Sequence, residues 1–207
     1  MTTGSTIELS IIIVGINAFD YLSKCLDSIF ASRLDKTIEI IYVDNNSTIS
    51  GLDWIAEKYP TITIIQNKQN AGYATANNQA IKISSSRNIL LLNPDTIVEE
   101  NAIQLMMNYL DQNPATGIVG PKVLNPDGSF QEHCKRGEAR PWEVFCYFSR
   151  LSRLFPHNPH FAGYLQGHLD ENHVHHVPAI SGCCMLIRKE VIDQIGYLDE
   201  LFFAYQE

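Results

Sequence analysis

Ile11-Ile12-Ile13-Val14-Gly15-Ile16-Asn17 is an apolar, β-branched run that stops at a glycine and an asparagine. Such a run has no polar alternation, so both faces of the strand it forms must be covered. Residues 7–14 are read as that strand. Downstream, residues 21–30 carry Leu22, Cys25, Leu26 and Ile29 at helical spacing, with Asp20 as the expected N-cap. The same alternation repeats. Strands are expected at 37–43, 61–65, 88–92 and 117–119, and helices at 52–59, 74–83 and 99–110, with Pro60 stopping the first of these helices. Strands apolar on both faces that alternate with helices predict an α/β fold with a mostly parallel central sheet flanked by helices. Ligands of such sheets sit outside the carboxyl ends of the strands. Those ends carry Gly15-Ile16-Asn17, Asp44-Asn45-Asn46 and Asn93-Pro94-Asp95.

Beyond residue 120 the pattern changes. Asn125-Pro126-Asp127-Gly128 is a turn signal of hairpin type. Residues 140–155 are aromatic-rich and expected helical, 156–168 a loop, 173–187 extended chain broken at Ser181-Gly182, and 190–195 a short helix. Trp142, Phe145, Tyr147 and Phe148 are read as helical core, with an acceptor platform as the alternative. On a strand, His173 and His175 share one face, which is either a polar edge or a metal-ligand geometry. Lys135-Arg136 and Arg150/Arg153 are modest basic spots, either solvated or able to approach a lipid diphosphate.

The 207 residues carry a formal charge of −8, with 45% hydrophobic and 18% charged residues. That composition excludes disordered, collagenous and coiled-coil classes. The acidic balance argues against a nucleic-acid partner. No apolar stretch approaches the ~20 residues of a bilayer span, and residues 1–5 lack the pattern of a secretion signal. Five scattered cysteines without a C-x-x-C point to reduced thiols and a cytoplasmic setting. The aromatic stop at Leu201-Phe202-Phe203-Ala204-Tyr205-Gln206-Glu207 reads as a C-terminally truncated chain.

Individually the polar edge residues have ordinary explanations. Asp95 either holds a divalent cation or caps the following helix. Asp44 either accepts from a base or ribose or makes a turn. Asn70-Ala71-Gly72-Tyr73 precedes a helix N-terminus, an anion-binding end, or is a plain loop. Taken in order, the segments 11–17, 43–47, 70–78 and 91–95, with 181–189 and 195–207, resemble the family 2 glycosyltransferases, within them the rhamnosyltransferase-like group.

The resemblance covers nearly the whole chain, from about Ile7 to Glu207, and implies a single GT-A domain. Residues 7–120 form its nucleotide-sugar half and 121–207 an incomplete acceptor half. It implies an inverting transfer from a nucleoside-diphosphate sugar, dTDP- or UDP-linked, to a saccharide or lipid-linked acceptor in cell-surface polysaccharide synthesis. Asp44 matches the aspartate that contacts the donor base. Asp95 matches the last aspartate of the D-x-D motif that binds Mg²⁺ or Mn²⁺. Asn78 matches the asparagine beside the donor. Gly182 matches the glycine lining the sugar and acceptor pocket, and Glu207 opens the acidic pair that supplies the catalytic base. Val14, Ile16, Asn46, Asn70, Gly72 and Asn93 complete the implied substrate set.

The pattern is not complete. Asn93 replaces the first D-x-D aspartate, Ile16 stands where an aromatic residue is common, and Thr75 stands where an arginine is common. A peripheral membrane contact, at the inner face of the membrane, is expected only through a C-terminal part this chain lacks. A nucleotidyltransferase is disfavoured because no glycine-rich basic loop follows the first strand. A dinucleotide dehydrogenase is disfavoured because no G-x-G-x-x-G does. A non-catalytic nucleotide-sugar-binding homologue is the remaining alternative.

Overall fold

The computed structural model describes residues 7–49 and 51–204. Two compact units divide the chain. One runs to Val119 and resumes at Gly182, and the other is Gly120–Ser181.

In the first unit, β1 (Leu9–Gly15), α1 (Phe19–Ala31), β2 (Ile38–Asp44), α2 (Leu52–Lys58), β3 (Thr63–Gln66), α3 (Tyr73–Ile83), β4 (Asn88–Leu92), α4 (Ala102–Gln112) and β5 (Ile118–Val119) follow one another. The chain returns as β8 (Cys184–Arg188) and α8 (Lys189–Ile195). The sheet order is β3-β2-β1-β4-β8-β5. β1 pairs in parallel with both β2 and β4, and β2 with β3. β8 alone runs antiparallel, against β4 and β5. The sheet is therefore mostly parallel, as expected.

The continuous apolar runs are explained by two cores, one on each sheet face. Leu9, Ile11 and Ile13 of β1, Ile40 and Tyr42 of β2, and Leu90 and Leu92 of β4 pack with Leu22, Cys25, Leu26 and Ile29 of α1 and Met106, Met107 and Leu110 of α4. The intervening Ile12, Ile41, Val43, Ile89 and Leu91 pack with Ala76, Ala80 and Ile81 of α3 and Ile192 of α8. With a side-chain period of two, each strand feeds both cores, so both registers must be apolar. Arg188, at the end of β8, donates from Nε to the Thr116 carbonyl at 2.8 Å and from its guanidinium to the Leu110 carbonyl. The second bond reaches a carbonyl in the last turn of α4, where Leu110 also accepts from Asn113 N–H at 3.1 Å, so Arg188 ties β8 to the end of α4 and to the segment that follows it.

Several local expectations need correction. Asp20 is not the N-cap of α1. The helix begins at Phe19 after Ala18, because Phe19 is buried, and Asp20 lies in the first turn, where its charge favours the helix dipole. The helix expected from residue 99 starts at Ala102, because residues 93–99 make turns first: Thr96 N–H donates to the Asn93 carbonyl and Ala102 N–H to that of Glu99.

The second unit contains a short 3₁₀ turn (Glu132–Cys134), β6 (Lys135–Arg136), α5 (Pro141–Phe148), α6 (Leu151–Leu154), α7 (Pro159–Ala162) and β7 (Ala179–Ile180), with β6 and β7 paired antiparallel. The expected hairpin turn at 125–128 is present. Gly128, at φ 83°, donates to the Asn125 carbonyl at 2.9 Å, and Leu124 bridges Phe130. The aromatic stretch is two helices rather than one, because Arg150 adopts φ 65°, in the left-handed region. The expected loop at 156–168 contains α7. Its cap was readable in Asn158-Pro159: Asn158 Oδ1 accepts from His160 N–H at 2.9 Å, and proline stands at the helix start.

Residues 173–178 form no strand, so His173 and His175 share no strand face. Both instead turn to Asp170, through its carboxylate at 2.9 Å and its carbonyl at 2.8 Å. Among the described residues no group of three or more His, Cys, Asp or Glu side chains is placed to hold a metal ion. Trp142, Phe145 and Phe148 are exposed rather than core, because only Cys146 of α5 is buried. Among the described residues, no helix is long and apolar enough to cross a membrane.

Leu90, fully buried in the first core, and Leu105, 65% exposed on α4, provide a direct test. Leu90→Ala is expected to destabilise the protein by about 2–5 kcal/mol and Leu105→Ala by under about 0.5 kcal/mol. Urea unfolding midpoints at constant slope measure the difference.

Candidate functional site

At the carboxyl edge, β1 lies between β2 and β4. Gly15 is in register with Asp44, and Ile13 with Leu92. The strand ends bearing Asp44 and Asn93-Pro94-Asp95 therefore flank β1 at two strand spacings, about 10 Å.

Asp44 is fully buried. Its carboxylate accepts from the Ser47 hydroxyl, and from Ser47 N–H at 3.3 Å. Two residues back on the same strand face, the Tyr42 phenol is buried with no hydrogen-bond partner among the described residues. Burial, and secondarily the Asp44 charge, push its pKa up. A Cβ on Gly15 would stand 2.9 Å from that phenol oxygen, so the strand needs glycine here for space.

The loops after β1 and β2 are stapled together by Asn17. Its N–H donates to Ser47 Oγ at 2.8 Å, and its side-chain oxygen accepts from Thr48 N–H at 2.9 Å and Ile49 N–H at 3.3 Å. Asn17 and Asn46 both have positive φ, 52° and 72°, which asparagine tolerates better than most residues. Ile16 is exposed, and Val14 is half-buried against the second core.

An amide network joins the β2 end to the loop before α3. Asn45 donates to Asn70 Oδ1 at 2.7 Å, and its Oδ1 accepts from Ala71 N–H at 2.9 Å and Asn67 Nδ2 at 3.1 Å. Asn70 in turn accepts from Gly72 N–H at 3.0 Å. The N-terminus of α3 is not open to an anion at its first residue, because Tyr73 N–H donates to the Phe203 carbonyl at 2.8 Å. Gly72 has φ 83°, and a Cβ there would lie 2.8 Å from the same carbonyl. Conformation and space both exclude a larger residue.

Asn78 is buried, and its amide is committed to the segment after α8. It donates to the Leu198 carbonyl and to Glu200 Oε1, both at 2.9 Å, and accepts from Leu198 N–H at 3.1 Å. In this structure Asn78 therefore clamps the later segment onto α3. The Gly182 carbonyl accepts from the Tyr73 hydroxyl at 2.9 Å, which ties the approach to β8 to the same helix.

Across β1, Asn93 N–H donates to the Cys183 carbonyl at 2.9 Å, fixing the β4 end against β8. Asp95 is exposed. Its charge reaches the thiol of Cys25, whose pKa burial, and to a lesser degree Asp95, push up to about 12. The Asp95 carboxylate makes no ion pair or hydrogen bond with another side chain among the described residues, so it is available to a hard cation. Mg²⁺ is held by one or two carboxylates plus substrate phosphates, and a single exposed aspartate beside an asparagine fits that use. Glu207 lies outside the described residues.

A cavity of about 660 Å³ opens nearby, lined by Phe19, Asp20, Ser23, Lys24, Gly51 and Trp54. It includes neither Asp44 nor Asp95. Asn17 and Asn45 were expected at the strand ends where ligands sit, and Ser47 within the 43–47 motif, but neither they nor Asn67 were assigned a role in the site. The density of asparagine and serine in turn segments does not say which side chains meet.

A family model described as Glycosyl transferase family 2 matches residues 10–196. An N-acetylglucosaminyl-diphospho-decaprenol L-rhamnosyltransferase of Mycobacterium tuberculosis is 24% identical over 216 residues, covering 96% of this chain and 67% of the relative. A low-salt glycan biosynthesis hexosyltransferase, Agl10, of Haloferax volcanii is 28% identical over 204 residues, covering 97% of this chain and 59% of the relative. The mannosyltransferase PcManGT of Pyrobaculum calidifontis, in complex with GDP-Man and Mn²⁺, superposes with a TM-score of 0.63 at 17% identity, over 96% of this chain and 49% of that one. S. aureus TarS 1–349 superposes with a TM-score of 0.65 at 18% identity, over 96% of this chain and 52% of that one. These structures share the GT-A fold with this chain, which spans about half the length of each.

Asn45→Ala would leave a gap at a buried position and take the partner from the Ala71 N–H, while Asn70 keeps the Gly72 N–H and Asn67 keeps Gln79. It is expected to cost about 1–3 kcal/mol, seen as a lowered urea midpoint. It should also speed amide exchange in residues 67–73.

Proposed function

Because this chain belongs to glycosyl transferase family 2, we propose that it transfers a hexosyl group from a nucleoside-diphosphate sugar to a hydroxyl of a saccharide or lipid-linked acceptor. The observation that carries the reading is the carboxyl edge of the sheet, where a buried aspartate and an exposed one flank β1 within the family-matched region. The relatives include enzymes named for a diphospho-decaprenol acceptor and for glycan synthesis. Superposable structures carry GDP-Man with Mn²⁺, or UDP-GlcNAc. These support a nucleotide-sugar donor, with dTDP- or UDP-linked sugars as the specific proposal. A cytoplasmic site of action, at the inner membrane face where the acceptor is lipid-linked, is proposed with it.

Asp44 is assigned to the base end of the donor. Ser47 and the Asn17 staple hold its carboxylate in one orientation before a ligand arrives, which reduces the ordering cost of binding. Val14, Ile16, Asn46, Asn70 and Gly72 are proposed to shape the nucleoside side of the cleft. Asn93 and Asp95 are proposed to meet the diphosphate end. Asp95 would hold a divalent ion there, and that ion would supply electrostatic stabilisation of charge on the departing diphosphate.

The acceptor oxygen attacks the anomeric carbon from the face opposite the diphosphate. The sugar–phosphate bond breaks and the configuration inverts. The hydroxyl proton passes to a carboxylate, assigned to Glu207, which must come within hydrogen-bond reach of that oxygen. Asn78 contributes by position: it holds residues 198–200 on α3, and the chain toward Glu207 leaves from there. Gly182, anchored by Tyr73, is proposed to line the acceptor side.

Two substitutions separate the roles. Asp95→Ala should abolish the enhancement of nucleoside-diphosphate binding by Mn²⁺ in calorimetry while the thermal midpoint stays within about 2 °C, as for a surface change. Full retention of the Mn²⁺ effect would refute the assignment. Asp44→Ala should flatten the preference among uridine, thymidine and guanosine diphosphates, by about tenfold for loss of a charge-assisted hydrogen bond. Unchanged relative affinities would remove Asp44 from base recognition. Donor binding with no hydrolysis or transfer, in a chain extended to its relatives' length, would favour the non-catalytic reading.

A further inference from the structure

The second unit carries an apolar surface that its own fold leaves uncovered. On α5, Trp142, Phe145 and Phe148 recur every three residues and are all exposed, Phe148 by 76%. Leu154 on α6 is 73% exposed, and Phe155 follows it. The rings of Trp142, Phe145, Phe161 and Phe155 are contiguous, and the Phe148 ring meets Tyr147 edge to face at 5.3 Å. The Trp142 centroid is 5.8 Å from Phe145 and 6.2 Å from Phe161, and Phe161 is 4.8 Å from Phe155. The indole N–H of Trp142 donates to the His160 carbonyl at 2.9 Å, so its polar edge is satisfied while its ring faces out. A contiguous apolar patch of this kind, unlike scattered exposed side chains, marks an interaction surface.

Charge identifies the occupant. From Arg140 to Phe155 the sequence holds three arginines against one glutamate, in a chain whose net charge is −8. Arg140 pairs with Glu138 at 2.6 Å. Arg150 and Arg153 are exposed, and neither pairs with a carboxylate among the described residues. Arg150 also sits at φ 65°, the turn that separates α5 from α6. Free cations beside exposed Trp, Phe and Leu match the composition of segments that lie in a bilayer interface. There the aromatic rings take headgroup depth and arginines meet anionic phosphates. A second copy of the chain fits less well, because a two-fold contact through this patch brings each Arg150–Arg153 pair toward its symmetry mate.

We propose that the α5–α6 tip, through Trp142, Phe145, Phe148, Leu154 and Phe155 with Arg150 and Arg153, docks onto an anionic lipid surface. This goes beyond the donor chemistry. It shares with the proposed function only the membrane setting of a lipid-linked acceptor, and it locates the contact in the second unit rather than in any C-terminal extension.

The test is sedimentation of the intact chain with vesicles of phosphatidylcholine alone or with phosphatidylglycerol added, without nucleotide. The chain should pellet with the anionic vesicles, and less so as salt rises. In a Trp54→Phe background, Trp142 emission should shift to shorter wavelength on binding. Each lost arginine should weaken partitioning about fivefold, so the Arg150→Gln/Arg153→Gln pair should lose more than tenfold. Phe148→Ser/Leu154→Ser should lose at least as much. Both pairs should keep the wild-type circular dichroism and nucleoside-diphosphate affinity.

The proposal is overturned if the wild type stays in the supernatant with anionic vesicles, or if Trp142 emission does not move. It is overturned equally if both variant pairs pellet like the wild type. A dimer that Phe148→Ser/Leu154→Ser dissolves, with no vesicle binding, would assign the patch to a second copy instead. Vesicle binding without nucleotide affinity would leave this inference standing and refute the donor reading. The converse result would do the reverse.

Discussion

β1 has no solvent-facing side. Leu9, Ile11, Ile12 and Ile13 are all fully buried, with alternate residues delivered to opposite cores. A strand so enclosed must also satisfy its backbone on both edges, and it does so by parallel pairing with β2 and β4. Parallel pairing has a chemical consequence. All three strands finish at the same edge, and their loops must emerge together. The polar residues that follow Gly15, Val43 and Leu92 are therefore gathered by the burial of apolar residues several positions earlier.

That edge is organised unevenly. On the β2 side nearly every polar group has an internal partner. Asp44 is held by Ser47, Asn17 bridges two loops, and Asn45 joins Asn67, Asn70 and Ala71. Asn45 is the buried amide among these; such a group is costly unless satisfied, and once satisfied it fixes one geometry. On the β4 side Asp95 stands in solvent without a side-chain partner among the described residues. A fixed, buried carboxylate and an exposed one open to a hydrated ion meet different demands. The two sides differ accordingly, and the proposed assignment of nucleoside to one and diphosphate to the other follows that difference.

The segment after α8 turns the sheet edge into more than a nucleotide-sized shelf. Asn78 holds Leu198 and Glu200, and the Phe203 carbonyl takes the first N–H of α3. Gly72 permits that approach, because any side chain there would meet the Phe203 backbone. The helix end that an isolated reading assigns to an anion is thus used, in part, to seat the chain that leads toward Glu207. In the second unit the reverse occurs. The α5–α6 aromatic residues found too little internal surface to bury, since the break at Arg150 leaves two short helices rather than one long amphipathic one.

The sequence alone determined the alternation of strands and helices, the mostly parallel sheet and the edge on which polar residues gather. Period-two and period-3.6 burial are local properties that a chain writes in its own order. The family resemblance was likewise legible in ordered short motifs such as Asn93-Pro94-Asp95. Tertiary structure decided which asparagine bonds which loop, that Asn78 grips residues 198–200, that β8 returns antiparallel into the sheet, and that Trp142, Phe145 and Phe148 face outward. Those outcomes depend on partners distant in sequence. An asparagine or an aromatic ring has the same local signature whether it is buried, bonded or exposed, and only the packed chain supplies the neighbour that distinguishes them.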